Sequence, residues 1–244
     1  NVVDSLFVSH YGENALSAVS LAFPIQNVII ATGTGIGVGI NALLSRYLGE
    51  KKQKKVDQTA MHGLILGAGF YVLILLFGIF CVRSFYVVQT SDREIVSMGV
   101  DYLTVICVFG FGQMFQLIFE KILQSTGRTS YTMVMQIVGA VINIILDPIL
   151  IFGLGLGVRG AAIATVLSQA VGAVWILHFL TGKKTILRLR KDYMRPEKKV
   201  ILPVMALGVS TFVMMSTESL LSISFSSSLA RYGGDVAVGA MTVI

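Results

Sequence analysis

The segment "AVINIILDPILIFG", residues 140–153, is almost entirely aliphatic, yet it contains Asn143, Asp147 and Pro148. Together with the apolar residues from 131 onward it is long enough to cross the hydrocarbon core of a bilayer, which takes about 20 residues in a helix. Asn143 and Asp147 are four residues apart, so a helix places both polar groups on one face. The segment therefore predicts a membrane-spanning helix that carries a polar site.

The composition of the chain extends this interpretation to its other apolar segments. The 244 residues are 55% hydrophobic and 13% charged, with a mean hydropathy of +0.79, whereas soluble domains have about 25% charged residues. We therefore expect an all-α polytopic membrane protein. The predicted spans are a truncated first one ending near Val8, then 23–45, 59–82, 95–119, 131–153, 159–180 and 200–228, and an eighth starting near Val236.

The positions of the basic residues predict how the spans are oriented. Fifteen of the 19 Lys and Arg residues fall in the connecting segments 46–55, 121–128 and 183–199. Cytoplasmic loops of membrane proteins are enriched in Lys and Arg. We therefore expect these loops to be cytoplasmic in a multi-pass protein of the plasma membrane. The same distribution accounts for the net charge of +6 without a nucleic-acid partner, which would require a basic face on a soluble domain. The other four basic residues are Arg83, Arg93, Arg159 and Arg231.

The polar stretch 181–199 divides the chain into two parts. We expect an N-terminal lobe at 1–180, a basic linker at 181–199, either a surface helix or a solvated connector, and the start of a second lobe at 200–244. Tyr11-Gly12 aligns with Tyr232-Gly233 six spans later, an even number that gives both copies one orientation, as in the parallel repeats of transporters. Since the chain lacks an initial Met and stops in an apolar run, we expect a longer protein.

Four acids fall within the predicted spans. A charge at the centre of a bilayer costs about 2.5–3.5 kcal/mol on insertion scales, so each acid is a hypothesis of function. With no Lys or Arg at a matching depth, we expect these acids to hold a proton or to bind a cation from solution. The alternatives are helix-end positions for Asp4 and Glu120, and hydrogen bonding between helices for the Asn143–Asp147 pair. The four acids are Asp4, Glu120, Asp147 and Glu218.

Asp147 has the most specific surroundings of the four. Pro148 has no N–H, so the carbonyl of Ile144 loses its helical donor and lies within a turn of the carboxylate. A carboxylate, an amide oxygen and a free carbonyl then converge, which suits a proton or a small cation.

The glycines of "ATGTGIGVGINA", residues 31–42, resemble a nucleotide-binding fingerprint, but no strand precedes them. The pairs Gly33/Gly37 and Gly35/Gly39 instead predict close helix contacts inside the membrane.

Three segments resemble the multidrug and toxic compound extrusion (MATE) transporters. They are "VVDSLFVSHYGENALSAVSLAFPI", "NIILDPILIFGLGLGVRGAAIAT" and "LPVMALGVSTFVMMSTESLL". The resemblance implies twelve spans in two six-helix lobes, so this chain would hold one lobe and the first helices of a second, parallel-repeat lobe. It also implies secondary active export of organic, often cationic, compounds in exchange for H⁺ or Na⁺ by alternating access. We expect no enzymatic activity and no cofactor beyond the coupling ion.

The resemblance also implies roles for individual residues. The cation site would be formed by Asp4, Asn143, Asp147 and Thr165, with Na⁺ as one candidate ion at the first three. Further coupling or substrate positions would be Tyr102, Glu120 and Glu218; at the position of Glu120 many members have Asn.

Other classes of membrane protein remain alternatives at this stage. A lipid-linked oligosaccharide flippase would carry basic residues in its cavity, an intramembrane hydrolase would need two acids in a wet site, and a channel would give uncoupled flux. For the transporter we expect small-molecule organic substrates, a lipid bilayer around the spans and a monomeric state.

Overall fold

In a computed structural model, residues 2–181, 197–218 and 221 are described. Apart from short turns these residues are helical, and none of them lies in a strand. The helices are α1 (Val2–Tyr11), α2 (Glu13–Gly49), α3 (Gln53–Phe80), α4 (Val82–Gln89), α5 (Arg93–Phe109), α6 (Phe111–Ser125), α7 (Thr129–Pro148), a π-helical turn (Ile149–Gly153), α8 (Val158–Thr181) and α9 (Lys198–Glu218).

Five of these elements are long and apolar enough to cross a membrane: α2, α3, α7 with its π-helical turn, α8 and α9. Helices α5 and α6 together make a sixth, bent by 48°. The prediction of an all-α polytopic fold is therefore confirmed. Most of the 181–199 linker, the eighth span and the second Tyr-Gly turn lie outside the described residues.

The predicted span 95–119 is not one continuous helix. It is interrupted at Gly110, where φ is −71° and ψ is 9°, far from the ψ of about −42° that continues an α-helix. A Cβ at Gly110 would lie 2.1 Å from the carbonyl oxygen of Ile106. The bend therefore requires a residue without a side chain, which glycine provides. The apolar pattern alone did not predict it.

Helix α2 runs through the middle of the core. Its first half packs with α1, α4, α5 and the start of α8 in one cluster of buried side chains that includes Val19, Tyr86 and Ile106. Its second half packs with α3, α6 and α9 in another cluster that includes Ile40 and Ile118. With 37 residues at about 1.5 Å each, α2 is long enough to connect both ends of the bundle.

The two ends of the bundle differ in charge. At one end, the Tyr11 ring lies against Gly157, so the turns after α1 and before α8 meet. At the other end, the backbone N–H of Glu197 donates to His62 Nε2 at 2.9 Å, which brings the start of α9 to the N-terminal half of α3. The described parts of the basic segments therefore gather at one end, as the grouping of charges predicts; which side of the membrane this end faces stays a prediction.

Glu50 bridges the turn between α2 and α3 at this basic end. It accepts hydrogen bonds from Lys52 at 2.6 Å and from Arg46 at 2.9 Å. These contacts, that of Lys52 first, lower the pKa of Glu50 to about 2. The carboxylate therefore stays ionised at a lower pH than an unpaired glutamate.

Helices α2 and α9 cross with their backbones in contact. A Cβ on Gly39 would lie 2.1 Å from the carbonyl oxygen of Val204, and a Cβ on Gly208 would lie 2.4 Å from that of Gly35. The small-residue pattern of α2 thus marks a close helix approach, as it does in membrane proteins generally. This crossing joins the N-terminal lobe to the helix that begins the second predicted lobe.

The α2–α9 crossing predicts opposite effects of alanine at two glycines of the spans. Gly39→Ala should destabilise the full-length protein by about 1–3 kcal/mol, since its Cβ meets backbone atoms that cannot rotate away. Gly69→Ala is the matched control: a Cβ at Gly69 has no atom within 4 Å, so alanine should stabilise the helix by up to about 1 kcal/mol. Unfolding midpoints in detergent measure both. Equal midpoints for the two variants would contradict the close crossing.

Candidate cation-binding site

Asp147 is fully buried at the end of α7. Directly after Pro148 the helix widens into the π-helical turn, in which the N–H of Leu154 donates to the carbonyl of Ile149 at 2.9 Å, five residues back. Such π-helical turns are frequent at functional sites. The sequence predicted that Pro148 perturbs the hydrogen bonding of the helix, but not that the helix continues as a wider turn.

The structure brings Asp4 to Asp147 from the other end of the lobe's sequence. Asp4 lies on α1 and is 4% exposed. Its carboxyl group interacts with that of Asp147 electrostatically and within hydrogen-bonding reach. Both acids are thus removed from water and face each other, although 143 positions separate them in the sequence.

Thr165 on α8 holds Asp4 in place. Its hydroxyl Oγ1 lies 3.2 Å from Asp4 Oδ2 and 3.0 Å from the carbonyl oxygen of Ala161, so one hydroxyl proton is shared between two acceptors. Asp4, Asp147 and Thr165 thus come from α1, α7 and α8, and all three helices are in contact.

Asn143 lies one turn before Asp147, as the spacing predicts. Its Nδ2 is 3.5 Å from Asp147 Oδ1, which is the outer limit of a hydrogen bond and therefore a weak one. The other oxygen, Asp147 Oδ2, is buried and has no hydrogen-bond partner among the described residues. Buried polar atoms are nearly always paired, so this oxygen is a candidate position for a proton or a bound cation.

Tyr102 is buried beside both acids and interacts electrostatically with each. Its hydroxyl oxygen accepts a hydrogen bond of 2.9 Å from Gln26 Nε2 on α2. Because a phenol both donates and accepts, this bond leaves the Tyr102 proton available for another acceptor.

Gln26 is a site residue that the sequence interpretation missed. It is 7% exposed and lies two residues after Pro24 inside an apolar span. The signal was an amide in a membrane helix, which needs a partner for the same reason that a buried acid does. The sequence interpretation searched the spans for ionisable residues and therefore did not single out Gln26.

Two predicted site residues lie away from this group. Glu120 is buried on α6, where Gln124 Nε2 donates to it at 2.9 Å and Lys121 Nζ approaches at 3.9 Å. The expectation that no Lys or Arg lies at the depth of an acid in a span is therefore wrong for Glu120, because Lys121 Nζ lies near its carboxylate. Glu218, in α9, is exposed.

The chemistry of the group is that of a hard-cation or proton site. It offers two carboxylates, two amides and two hydroxyls, and oxygen ligands suit hard cations. Among residues 2–181, 197–218 and 221, no cluster of three or more His, Cys, Asp or Glu side chains is formed. The assignment of Na⁺ to Asp4, Asn143 and Asp147 stays a prediction.

Comparison with known proteins gives consistent matches. The MatE family model matches residues 1–149. The multidrug export protein MepA of Staphylococcus saprophyticus is 30% identical over 237 residues, which are 95% of this chain and 52% of MepA. The chain therefore spans about half the length of the curated relatives it matches.

Solved structures agree with this match. An outward-facing multidrug resistance MATE family transporter of the MOP superfamily aligns with a TM-score of 0.94 and 29% identity, over 99% of this chain and 54% of its own. An inward-facing form of such a transporter aligns with a TM-score of 0.89 and 29% identity, over 99% and 55%. The predicted resemblance and the all-α membrane fold are thereby confirmed, and the relatives are exporters, not enzymes. The division of the chain into lobes stays a prediction.

The Gln26–Tyr102 contact predicts energetic coupling between these two side chains. Gln26→Leu should destabilise the protein in the wild-type background, because it leaves the buried Tyr102 hydroxyl without its donor. In a Tyr102→Phe background the same change should cost less, with a coupling energy of about 0.5–1.5 kcal/mol. Denaturant unfolding of the four proteins in detergent measures this energy. Additive effects of the two substitutions would show that the contact does not stabilise the fold.

Proposed function

The chain belongs to the MatE family, and from that premise we propose that the full protein exports organic, often cationic, compounds in exchange for H⁺ or Na⁺. The observation that supports this proposal is the buried pair of Asp4 and Asp147. A site of this kind gives the protein a group whose charge changes when a cation from outside is bound or released.

The electrostatics of the pair favour cation loading. Two carboxylates within hydrogen-bonding reach repel each other when both are ionised, and burial in a span adds the cost of desolvation. One shared proton or one bound Na⁺ reduces both the repulsion between the carboxylates and the cost of their desolvation. Asn143 and Thr165 steady the acids through their hydrogen bonds, and their own oxygens would supply further ligands for Na⁺.

Loading would act on the position of α1. This helix joins α2 through the single extended residue Gly12. When Asp4 is neutralised by the cation, its interaction with α7 and α8 changes, which shifts the equilibrium between the lobes or bends α1 and expels substrate outward. A cation drives this change only by its different affinity for the two states.

The comparisons support alternating access for the full protein, because the chain aligns with both an outward-facing and an inward-facing transporter. We place the protein in the plasma membrane as a monomer, with the basic end of the bundle in the cytoplasm. The substrates would be small organic molecules, as for the multidrug export relatives.

The alternatives are less well supported. A lipid-linked oligosaccharide flippase is not favoured, because the relatives are multidrug exporters and the buried site is acidic rather than basic. A hydrolase does not fit transporter relatives. A channel would show flux that no cation gradient drives.

Asp147→Asn should abolish cation-driven efflux. The amide keeps the size of the side chain but removes the charge that the cation compensates, so we expect the rate to fall about tenfold or more, the effect of at least about 1.4 kcal/mol of lost coupling. Dye efflux from vesicles that hold the full-length protein measures the rate, with H⁺ and Na⁺ gradients imposed separately.

Glu13→Gln is the matched control for Asp147→Asn, since it removes one negative charge at an exposed turn. It should leave the rate unchanged. If Asp147→Asn is inserted normally and exports dye at the wild-type rate, the proposal fails. Equal efflux with and without either gradient would indicate a channel instead.

A further inference from the structure

A second polar feature lies at the end of the bundle opposite the basic loops. There α3 ends at Phe80, and the short helix α4 folds back onto α5. Tyr86 fixes α4 in this position: its hydroxyl donates to the carbonyl of Ala18 at 2.7 Å, and its ring packs where a side chain of Gly99 would be.

Between α4 and α5 there is an open cleft of about 690 Å³. Its polar lining consists of basic and hydroxyl side chains together with one acid, Asp101. The basic and hydroxyl residues are Arg83, Thr90, Ser91, Arg93 and Ser97.

The acids near the cleft have partners other than its two arginines. Asp101 is paired with Arg159 at 2.7 Å. Asp92 caps α5 by accepting from the N–H groups of Glu94 and Ile95, and Glu94 accepts from Asn14 at 2.7 Å. The N-terminus of α5 is therefore already capped and is not what makes the cleft attractive to an anion.

Arg83 and Arg93 are the groups that give the cleft its positive charge. Within residues 2–181, 197–218 and 221, neither side chain takes part in a hydrogen bond or ion pair that would neutralise it. Guanidinium groups bind phosphate oxygens in a bidentate manner, and the hydroxyls of Ser91 and Ser97 add neutral donors beside them.

The outer face of α4 is apolar. Val88 is 87% exposed and Val87 is 58% exposed, and Phe80 just before α4 is 73% exposed. A short helix with exposed apolar side chains next to arginines is typical of a segment in the interfacial layer of a bilayer. Water would be an unfavourable neighbour for these side chains, whereas acyl chains would not.

We propose that the cleft between α4 and α5 binds the phosphate group of an anionic phospholipid. Arg83 and Arg93 hold the phosphate, Ser91 and Ser97 donate to it, and the acyl chains lie against Val87 and Val88. Inorganic phosphate shares the headgroup chemistry but has no chains, so it would bind only through the polar half of the site. This lipid site is independent of the function proposed above.

The test uses the full-length protein in detergent with phosphatidylglycerol as the probe and native mass spectrometry as the readout. Arg83→Gln/Arg93→Gln should reduce the affinity for phosphatidylglycerol about tenfold or more for each guanidinium. The control Lys54→Gln/Lys198→Gln also removes two positive charges, from exposed residues at the other end, and should retain wild-type affinity. Equal retention by both double variants would overturn the proposal.

A second variant tests whether a loss of lipid binding in the first variant is caused by misfolding. Ser97→Asp keeps both arginines but places a carboxylate at an exposed position in the cleft, so it should also lose the lipid while its unfolding midpoint stays near wild type. Inorganic phosphate should compete weakly in all cases. If inorganic phosphate displaced phosphatidylglycerol as effectively as a second anionic lipid did, the assignment of a lipid would be wrong.

Discussion

The organisation of this lobe depends on one unfavourable arrangement, the placing of two carboxyl groups, Asp4 and Asp147, together inside a membrane protein. Burial and mutual repulsion both oppose it, so the surrounding helices must hold it in place. They do so with few contacts: the Thr165 hydroxyl on Asp4, the Asn143 amide near Asp147, and Tyr102 beside both acids.

The rest of the fold positions these groups. The long helix α2 links the two halves of the core and carries Gln26, which fixes the hydroxyl of Tyr102. Glycines let the backbones approach where α2 crosses α9, so the beginning of the second lobe rests directly on the helix that supports the site. Proline and the following π-helical turn give α7 an irregular end directly after Asp147. The helix that supports Tyr102 beside the acid pair is thus also the helix that contacts α9.

The sequence predicted the parts of this arrangement that depend on local patterns. Hydropathy located the spans, and the four-residue spacing put Asn143 on the same face as Asp147. The meeting of Asp4 with Thr165 is a tertiary contact between residues 161 positions apart, which periodicity does not encode, and only resemblance to a family supplied it. Gln26 was missed because a neutral amide has no charge to draw attention to it. The bend at Gly110 was missed because a glycine in an apolar run is compatible with a straight helix. The contact of Glu120 with Lys121 was missed because adjacent side chains on a helix normally do not face each other.

The central claim is that Asp4 and Asp147 act as one cation-binding unit, and its most direct measurement is the number of coupling cations bound by the full-length protein. Binding of labelled Na⁺ and uptake of protons in detergent give this number for the wild type, Asp4→Asn, Asp147→Asn and the double variant. The account predicts that either single substitution removes one bound cation and that the double variant removes no more, since effects within one unit are not additive. Loss of two cations in the double variant, one for each acid, would contradict it.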